Sequence, residues 1–515
     1  MTLFLNPDKS WKKAAYEDFS ISFVGSFDRW AQICAALKDK DHASITAILN
    51  QEKGCYAFII IHKDIIFSAV DHVASTPIYY SDHAVSNCAR TLQKEVMAFD
   101  LDKTALNEFC MTGYCTGAQT LYQGLYMVKA GEGVFLSSAH KLEVLRHFSY
   151  LPQIDESMNM TGAKEALGSV LDDVFRRLVT ELNGRAVLLP LSGGLDSRLV
   201  ITKLLEHGHD NIISFSYGTK GNGEARIAKK IALNLGVKWL DISSENPRIL
   251  YNSQLRKDFD CFVDGLSVVP SYLDFEALYM LSLRDDIPKD AVIINGQTGD
   301  FIAGAHIPEK LMDDKATIEM AVDFIAEIHY RQNQNLKTDK NIIYNGLALD
   351  IEDMNHQGPT AIFEFWEWQE RQAKAVMVGQ RSYDFFGYDW RLPLWDKDLV
   401  DFFATVPLEL KLRRKLMVEY LNDYDPKGVF TAEYPEITPW PKGRGWIKWL
   451  ARGCGFIAGR AAKDACYDRF YYFSNYHNQY ALFGYDSYLK HYKKTKRFVG
   501  QAALHWLGDQ GIDGE

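Results

Sequence analysis

The stretch that decides the fold is Ser192-Gly193-Gly194-Leu195-Asp196-Ser197, which follows the apolar run 186–189 and precedes the apolar run 199–201. This order predicts a strand, a tight turn and a helix. The glycines let backbone N–H groups approach a phosphate closely, and the helix N-terminus adds partial positive charge. The serine hydroxyls add donors, and Asp196 offers an oxygen ligand for Mg²⁺. The stretch predicts an anion-binding loop. The alternative is a tight connection without a ligand.

A second glycine-containing stretch does not fit the phosphate loop that ends in Gly-Lys-Ser/Thr. Residues 218–223 are followed by Glu224, whereas that loop needs a lysine to reach the phosphates. We therefore exclude this type of nucleotide site and base the functional interpretation on residues 192–197.

Composition limits the function classes that the chain can serve. Its 515 residues are 47% apolar and carry a formal net charge of -10, which argues against binding nucleic acid. The eight cysteines form no C-x-x-C pair, which favours reduced thiols over a metal site or a disulfide framework. No signal peptide and no apolar run of about 20 residues are found. We expect a cytoplasmic protein without a transmembrane segment.

The pattern of apolar residues divides the chain into two parts. Strand-like runs dominate before residue 150, and a polar stretch at 152–161 precedes an amphipathic helix at 163–182. From residue 186, strands alternate with single helices, which predicts a parallel sheet with right-handed crossovers. The chain beyond about residue 260 reads as mostly helical. We expect an α/β protein with domains at 1–155 and 156–515.

Motifs in both parts resemble those of the asparagine synthetase family. The loop at 192–197 is similar to the pyrophosphate-binding loop of the wider ATP pyrophosphatase superfamily. The other matching stretches are Gly54-Cys55-Tyr56-Ala57-Phe58, Val70-Asp71, Pro77-Ile78-Tyr79-Tyr80, Thr120-Leu121-Tyr122-Gln123-Gly124-Leu125, Gly296-Gln297-Thr298-Gly299-Asp300 and Asp389-Trp390-Arg391-Leu392-Pro393-Leu394. The resemblance implies an N-terminal β-sandwich domain like class II glutamine amidotransferases, which are N-terminal-nucleophile hydrolases. It also implies a C-terminal parallel-sheet domain like the adenine nucleotide α-hydrolases, with a helical end.

The glutaminase half departs from the family pattern. The family uses an N-terminal Cys, whereas this chain opens Met1-Thr2-Leu3, and Val70 stands where the family has Arg. Thr2 remains an alternative nucleophile, because threonine serves in other hydrolases of this kind. We expect a degenerate domain without glutaminase activity. Such a lost site is also a property of β-lactam synthetases, carbapenam synthetases and lasso-peptide cyclases, which these departures resemble.

In the second half, the resemblance assigns roles residue by residue. The nucleotide-binding residues are Leu191, Ser192, Gly193, Gly194, Leu195, Asp196, Ser197, Ser214, Phe215, Ser216 and Gly296, the metal ligands are Asp196 and Asp300, and the catalytic residues are Asp389, Lys442, Gln297 and Arg381. Structural alternatives stay open for three of them. Asp300 would serve as a helix cap, Asp389 as a salt-bridge partner of Arg391, and Lys442 as a solvated loop residue.

Gln297 is the most informative departure in this half. Asparagine synthetase has Glu at this position and the β-lactam-forming enzymes have Tyr. A glutamine side chain cannot take up a proton from the attacking amine. Either a carboxylate such as Asp389 acts as the base, or the nucleophile arrives neutral.

Residues 446–461 form an apolar stretch that also contains Lys448, Arg452 and Arg460, and aromatic residues recur between positions 467 and 492. Core packing or a homodimer interface is the simpler interpretation. Sugar stacking or loose docking to a membrane surface is the alternative.

The resemblance implies an ATP- and Mg²⁺-dependent ligase. Such an enzyme activates a carboxylate as an acyl-adenylate, and ammonia or an amine then forms the amide. The stretch 296–308 is most similar to relatives associated with bacterial surface polysaccharides, which would make the substrate a carrier-linked uronic acid. Two alternatives remain, namely an intramolecular cyclase of the β-lactam or lasso-peptide kind and a catalytically silent nucleotide-binding protein.

Overall fold

The structure is a computed structural model that describes residues 2–6, 10–95, 100–138, 141–219, 222–244, 253–333, 336–352, 354–431, 444–471, 490–491, 495 and 497–512. Among these residues, no helix combines the length and the apolar character that crossing a bilayer requires.

The N-terminal part is built from two sheets. Its strands are β1 (Thr2–Phe4), β2 (Lys12–Tyr16), β3 (Phe19–Gly25), β4 (Tyr56–His62), β5 (Ile65–Val70), β6 (Tyr79–Tyr80), β7 (Ala84–Ser86), β8 (Tyr126–Met127), β9 (Glu132–Ser137) and β10 (Leu142–Arg146). Six of them form an antiparallel sheet in the order β10-β9-β5-β4-β3-β2, and the other four pair as β1-β7-β6-β8. Strand β4 is apolar over most of its length because both of its faces are covered, and six of its seven residues are buried.

Four helices accompany these sheets. They are α1 (Trp30–Asp39), α2 (His42–Asn50), α3 (Ala89–Glu95) and α4 (Lys103–Thr112). Helix α4 begins after Asp102, whose carboxylate accepts from the backbone N–H groups of Thr104 and Ala105, and it ends at Gly113.

The second part contains a parallel sheet of five strands. These are β11 (Val187–Pro190), β12 (Ile212–Thr219), β13 (Lys238–Ser244), β14 (Val292–Ile294) and β15 (Asp389–Arg391), arranged in the order β13-β12-β11-β14-β15. All four pairings in this sheet are parallel. The α/β class expected from the sequence is therefore confirmed, with an antiparallel and a mixed sheet first and a parallel sheet after them.

Helices surround this sheet and make up most of the remaining described chain. They are α5 (Met160–Leu182), α6 (Leu195–Glu206), α7 (Gly223–Leu235), α8 (Gln254–Val263), α9 (Phe275–Ser282), α10 (Gly299–Ile302), α11 (Ile318–His329), α12 (Lys340–Asp350), α13 (Pro359–Trp366), α14 (Arg381–Phe386), α15 (Lys397–Thr405), α16 (Leu408–Lys411), α17 (Lys415–Tyr424), α18 (Arg444–Tyr471) and α19 (Phe498–Asp509). A π-helical segment, Glu367–Val376, continues α13. Short 3₁₀ turns lie at Glu309–Met312, Met354–His356, Met377–Gln380, Pro393–Trp395, Leu412–Arg414 and Pro426–Gly428.

The strand order places a crevice between β11 and β14. From β11 the chain moves outward through β12 and β13, and it then returns to add β14 and β15 on the other side. Ligands of open parallel sheets bind outside the carboxyl ends of the strands at such a reversal. The loop that follows β11 and the loop that follows β14 are thus the two segments expected to meet a ligand.

The N-terminal sheets pack directly against the second part of the chain. His72 Nε2 lies 2.7 Å from the carbonyl oxygen of Trp395, and the indole N–H of Trp368 donates to the carbonyl of His72 over 2.8 Å. The larger hydrophobic core contains buried residues from both parts, and a smaller core lies under β3, β4, α1 and α2. The division at residues 155 and 156 remains a prediction.

Candidate functional site

The loop at residues 192–197 is organised by its own two serines. The backbone N–H of Ser192 donates to Ser197 Oγ over 3.2 Å, and the N–H of Gly194 donates to Ser192 Oγ over 3.0 Å. Gly194 caps α6 with extended backbone angles and without a side-chain cap. The first N–H groups of α6 therefore remain available for an anion.

The guanidinium of Arg198 stabilises the loop at residues 192–197 through hydrogen bonds to backbone carbonyls. It donates to the carbonyl oxygens of Gly193 and Gly194 over 2.5 and 3.3 Å, and to the carbonyl of Val429 over 2.9 Å. The residue is 7% exposed. Since the guanidinium holds these loop carbonyls, it stabilises the turn that exposes the N–H groups. No motif in the sequence indicated a role for this residue, although it directly follows the loop.

Strand β12, which the sequence predicts to contact a nucleotide, lies beside the loop at residues 192–197, and its serine side chains are held by hydrogen bonds. Ser216 Oγ donates to the carbonyl of Leu191 over 2.7 Å, and Ser214 Oγ donates to the carbonyl of Lys238 over 2.9 Å. Phe215 is 1% exposed. The two serine hydroxyls already donate to neighbouring backbone carbonyls, and Phe215 is buried. A nucleotide would therefore contact the backbone of β12 and not these side chains.

Two glycines allow the loop after β14 to approach α6. A Cβ atom on Gly296 would lie 2.9 Å from the carbonyl carbon of Asp196, and one on Gly299 would lie 2.6 Å from the Asp196 carboxylate. Both distances are too short for a side chain. The stretch Gly296-Gln297-Thr298-Gly299-Asp300 therefore needs glycine at both positions, and this close packing brings Asp300 next to Asp196.

The Asp196 carboxylate is half-buried and forms an ion pair with Arg414. Burial raises the pKa of Asp196, the Arg414 guanidinium lowers it, and the negative charge of Asp300 raises it again.

Arg413 and Arg414 have φ angles of 54° and 63°, a left-handed conformation that is unfavourable for residues other than glycine. Strained backbone of this kind clusters at functional sites, and here it aims Arg414 at Asp196. The sequence pattern gave no signal for Arg414.

Asp300 forms its ion pair with a histidine, whereas Asp196 pairs with an arginine. His306 Nε2 lies 3.3 Å from Asp300 Oδ2, and its Nδ1 lies 3.3 Å from Glu367 Oε1. Burial lowers the pKa of His306, but hydrogen bonds to the two carboxylates outweigh it and raise the pKa to about 9. Burial raises the pKa of Asp300, whereas the His306 contact brings it down to about 2. His306 is therefore a cation and Asp300 an anion at neutral pH.

Gln297 participates in a chain of side-chain hydrogen bonds. Its amide oxygen accepts from Gln380 Nε2 over 2.6 Å, and its Nε2 lies 3.2 Å from the sulfur of Met377. The backbone N–H of Gln297 donates to Asn295 Oδ1 over 2.9 Å. Its side chain is thus already oriented by buried neighbours.

The same chain of hydrogen bonds continues from Asn295 to strand β12. Asn295 Nδ2 donates to the Tyr383 hydroxyl over 2.7 Å, and that hydroxyl donates to Asp274 over 2.5 Å. Tyr217 of β12 donates to the other oxygen of Asp274. The nucleotide strand and the Gln297 loop are therefore joined through one buried carboxylate, a connection that sequence spacing did not indicate.

Asp389 and Arg391 lie elsewhere on the sheet. Asp389 begins β15 in register with Val292, the first residue of β14, and it forms a 2.7 Å ion pair with Arg185. This is the amino edge of the sheet, whereas residues 192–197 follow its carboxyl edge, roughly 10 Å away along β11. Arg391 pairs with Glu181. The structure does not bring Asp389 to the predicted site, and its partner is Arg185 instead of the expected Arg391.

Three other candidates have different outcomes. The buried Arg381 forms a 2.6 Å ion pair with Asp384 and lies over the ring of Phe262. Lys442 lies outside the described residues. Thr2 lies at the exposed start of β1, where its backbone N–H donates to the carbonyl of His83 over 3.0 Å.

The residues at the crevice fit a magnesium–nucleotide complex. Asp196 and Asp300 supply oxygen ligands, which Mg²⁺ prefers, beside a loop with free N–H groups at a helix N-terminus. Arg414 Nε is buried and has no hydrogen-bond partner, although it belongs to the side chain that contacts Asp196. A phosphate oxygen would satisfy that donor.

Comparison with known proteins agrees with this arrangement. A family model described as asparagine synthase matches residues 169–433, just over half of the chain. The chain belongs to the asparagine synthase family. The matched range begins in α5, includes all five parallel strands and both crevice loops, and ends shortly after α17.

Two curated relatives match parts of the chain. The Microcin J25-processing protein McjC of Escherichia coli is 22% identical over 321 residues, which cover 61% of this chain and 57% of McjC. The 7-cyano-7-deazaguanine synthase of Pseudoalteromonas translucida (strain TAC 125) is 39% identical over 77 residues, which cover 14% of this chain and 35% of that enzyme. The chain thus spans about half or less of the length of these relatives.

Two solved structures match the chain distantly. A glutamine phosphoribosylpyrophosphate amidotransferase from B. subtilis, in complex with ADP and GMP, is 12% identical and has a TM-score of 0.16. It covers 55% of this chain and 56% of its own. An allosteric regulatory enzyme of purine biosynthesis has a TM-score of 0.17 at 12% identity, covering 47% of this chain and 63% of its own. Scores this low carry no further argument.

Proposed function

We propose that this protein is an ATP-dependent carbon–nitrogen ligase that activates a carboxylate as an acyl-adenylate and passes the acyl group to ammonia or an amine. One observation carries the proposal. Asp196 and Asp300 lie together beside the N-terminus of α6, at the point where the order of the parallel strands reverses. Membership of the asparagine synthase family supports the same chemistry.

The proposed roles follow from the contacts at the crevice. The N–H groups of residues 192–197 and the guanidinium of Arg414 bind phosphate oxygens, while Asp196 and Asp300 hold the metal ion. Bound Mg²⁺ would neutralise the charge that develops on the departing pyrophosphate. His306 keeps Asp300 ionised and in place.

Gln297 is proposed as a substrate-orienting residue without a proton-transfer role. Its side chain cannot titrate, and Gln380 and Met377 fix its direction. Because Asp389 pairs with Arg185 at the far edge of the sheet, we assign it no role as base in this proposal. The attacking amine is then expected to arrive neutral or to be deprotonated by a group other than Gln297 and Asp389.

We further propose that the N-terminal part, residues 1–155, is an amidotransferase-like domain that has lost its glutaminase activity. Val70, which is buried at the end of β5 where the resembling enzymes carry Arg, supports this loss. Free ammonia or an amine would then be the donor. Glutamate release from glutamine, abolished by Thr2→Ala, would overturn this part of the proposal.

The acceptor carboxylate distinguishes two candidate functions. In the first function, the enzyme amidates a uronic acid on a nucleotide or lipid carrier during bacterial surface polysaccharide synthesis. The second is an intramolecular amide cyclase, which the similarity to a protein that processes microcin J25 favours. Gln297 argues against a β-lactam-type cyclase, because the resembling enzymes carry Tyr at this position.

A pyrophosphate-release assay tests the proposal. The purified protein is incubated with ATP and Mg²⁺, and with panels of sugar acids and of peptides that carry a free carboxylate. Release of pyrophosphate and AMP only with one panel identifies the substrate class. Release with neither panel, or products that are ADP and phosphate, favours a silent nucleotide-binding protein or different chemistry.

A further inference from the structure

Helix α18 folds back on itself as a hairpin. A straight helix would separate residues 455 and 463 by about 12 Å. Instead, a Cβ atom on Gly455 would lie 2.9 Å from the Cβ of Lys463, so the two halves are in contact. The reversal occurs at Ala458 and Gly459, and Gly459 has φ 82° and ψ -179°, a conformation essentially restricted to glycine.

The tip of this hairpin exposes large apolar side chains. Phe456 is 96% exposed and Ile457 is 87% exposed, while Trp449 and Leu450 on the first half are 70% and 52% exposed. Ala451, by contrast, is 1% exposed, so one side of the first half is covered while another is bare. Adjacent apolar side chains exposed to this degree mark an interaction surface.

The charge around the tip identifies the kind of partner. The stretch 444–471 contains six basic and two acidic residues, whereas the whole chain has a net charge of -10. Arg452, Arg460 and Lys463 are exposed close to Phe456 and Ile457 in the chain. Apolar side chains flanked by basic ones are typical of segments that lie in the interface of an anionic bilayer.

We propose that the hairpin tip, defined by Trp449, Leu450, Phe456 and Ile457, docks the protein onto an anionic lipid surface. The apolar side chains enter the interface, and Arg452, Arg460 and Lys463 contact lipid phosphates. Because these side chains reach only the interface of the bilayer, the proposed attachment is peripheral and reversible. The inference is independent of the reaction at the crevice, since it uses none of those residues.

A vesicle co-sedimentation experiment tests this inference. The full chain is mixed with vesicles of phosphatidylcholine alone and with vesicles that also contain phosphatidylglycerol. We expect binding to the anionic vesicles, weaker binding to the neutral ones and a decrease with added salt. Phe456→Ser with Ile457→Ser should weaken binding about tenfold or more, because each exposed side chain loses its burial in lipid.

Matched variants separate the tip from general surface effects. Leu349→Ser, at a residue 88% exposed on α12, should bind like the unmodified protein. Arg452→Glu with Arg460→Glu should weaken binding to anionic vesicles several-fold, whereas Lys12→Glu with Lys13→Glu on the exposed strand β2 should not.

Three results would overturn the proposal. The first is failure of the protein to bind anionic vesicles, which would mean that the tip has another covering. The second is equal binding by the Phe456→Ser, Ile457→Ser variant. The third is a concentration-dependent dimer, detected by sedimentation velocity and abolished by those same substitutions without any effect of lipid, which would assign the surface to a second copy of the chain.

Discussion

At the scale of single residues, the crevice depends on two glycines, because the absence of a side chain there lets two segments of the chain approach closely. Gly296 and Gly299 let the loop after β14 touch the first turn of α6, and the backbone N–H and the charge of Asp300 act on the Asp196 carboxylate as a result. These two aspartates could be predicted because each lies in a short motif, 192–197 or 296–300, that resembles a motif of the family. It could not predict Arg414, whose contact with Asp196 depends on an unusual backbone conformation 218 residues further along the chain.

Gly299→Ala tests the close approach. A methyl group there would meet the Asp196 carboxylate and the Cδ1 atom of Leu394, so one of the loops must shift. We expect pyrophosphate release to fall at least tenfold and stability to fall by about 1–3 kcal/mol, as for an overpacked site. Gly346→Ala on α12 is the control, because its Cβ would meet no atom within 4 Å. Unchanged activity in Gly299→Ala would contradict the proposed geometry.

Asp274→Asn tests the link between strand β12 and the Gln297 loop. The substitution keeps the shape but removes a buried carboxylate that accepts from Tyr217 and Tyr383. If Asp274 positions the loop, kcat should fall severalfold while KM for ATP changes little. A loss of stability without any change in kcat would instead make Asp274 a purely structural residue. Both constants and the urea midpoint are to be measured together.

At the scale of elements, the sequence predicted the alternating pattern well but not the long-range packing. The helix expected at 163–182 is found at Met160–Leu182, and the alternation of strands and helices expected from residue 186 is found as β11, α6, β12, α7 and β13. Apolar periodicity and capping residues are local signals, so they survive without tertiary information. The amino-edge position of Asp389 was not predictable, because the register of β15 depends on a partner strand almost 100 residues earlier.

The π-helical segment Glu367–Val376 carries a buried contact between the two parts of the chain. Lys374 Nζ donates to the carbonyls of Cys115 and Gly117 over 2.6 and 2.7 Å, and to Glu370 over 2.6 Å. Lys374→Met should destabilise the protein by about 3–5 kcal/mol, because it leaves a buried carboxylate unpaired. Urea unfolding measures the effect.

An exposed lysine provides the control for this element. Lys340 pairs with Asp323 where both side chains are 57% exposed, so Lys340→Met should cost less than about 1 kcal/mol. Adding Glu370→Met to Lys374→Met should recover part of the loss. Equal costs for the two lysine substitutions would show that the buried pair is not important for stability.

At the scale of the whole molecule, two buried histidines and one half-buried histidine predict how stability depends on pH. Burial lowers the pKa of His147 to about 3, and that of His329 and His505 to about 4. The unfolded chain takes up protons near pH 6.5, before these folded groups do. Stability should therefore fall as the pH drops from 7 to 5, by about 2 kcal/mol for each such histidine. His306 has the opposite sign, because its pKa is raised to about 9.

His147→Gln isolates one of these contributions. His147 Nε2 donates to the carbonyl of Val70 over 2.9 Å, and a glutamine amide can replace that donor without titrating. The difference in unfolding free energy between pH 7 and pH 5 should shrink by about 2 kcal/mol in this variant. An unchanged difference would mean that His147 is protonated in the folded protein.

The central claim is that the crevice between β11 and β14 adenylates a carboxylate. The most direct measurement uses a substrate carboxylate labelled with oxygen-18, incubated with ATP, Mg²⁺ and an amine. Formation of an acyl-adenylate transfers one carboxylate oxygen to phosphorus when the amide forms, so we predict labelled AMP. Asp300→Asn should reduce it about 10²-fold or more, because one of the two proposed carboxylate ligands of Mg²⁺ is lost and with it charge stabilisation of the departing pyrophosphate. Unlabelled AMP, or label found in inorganic phosphate, would contradict the claim.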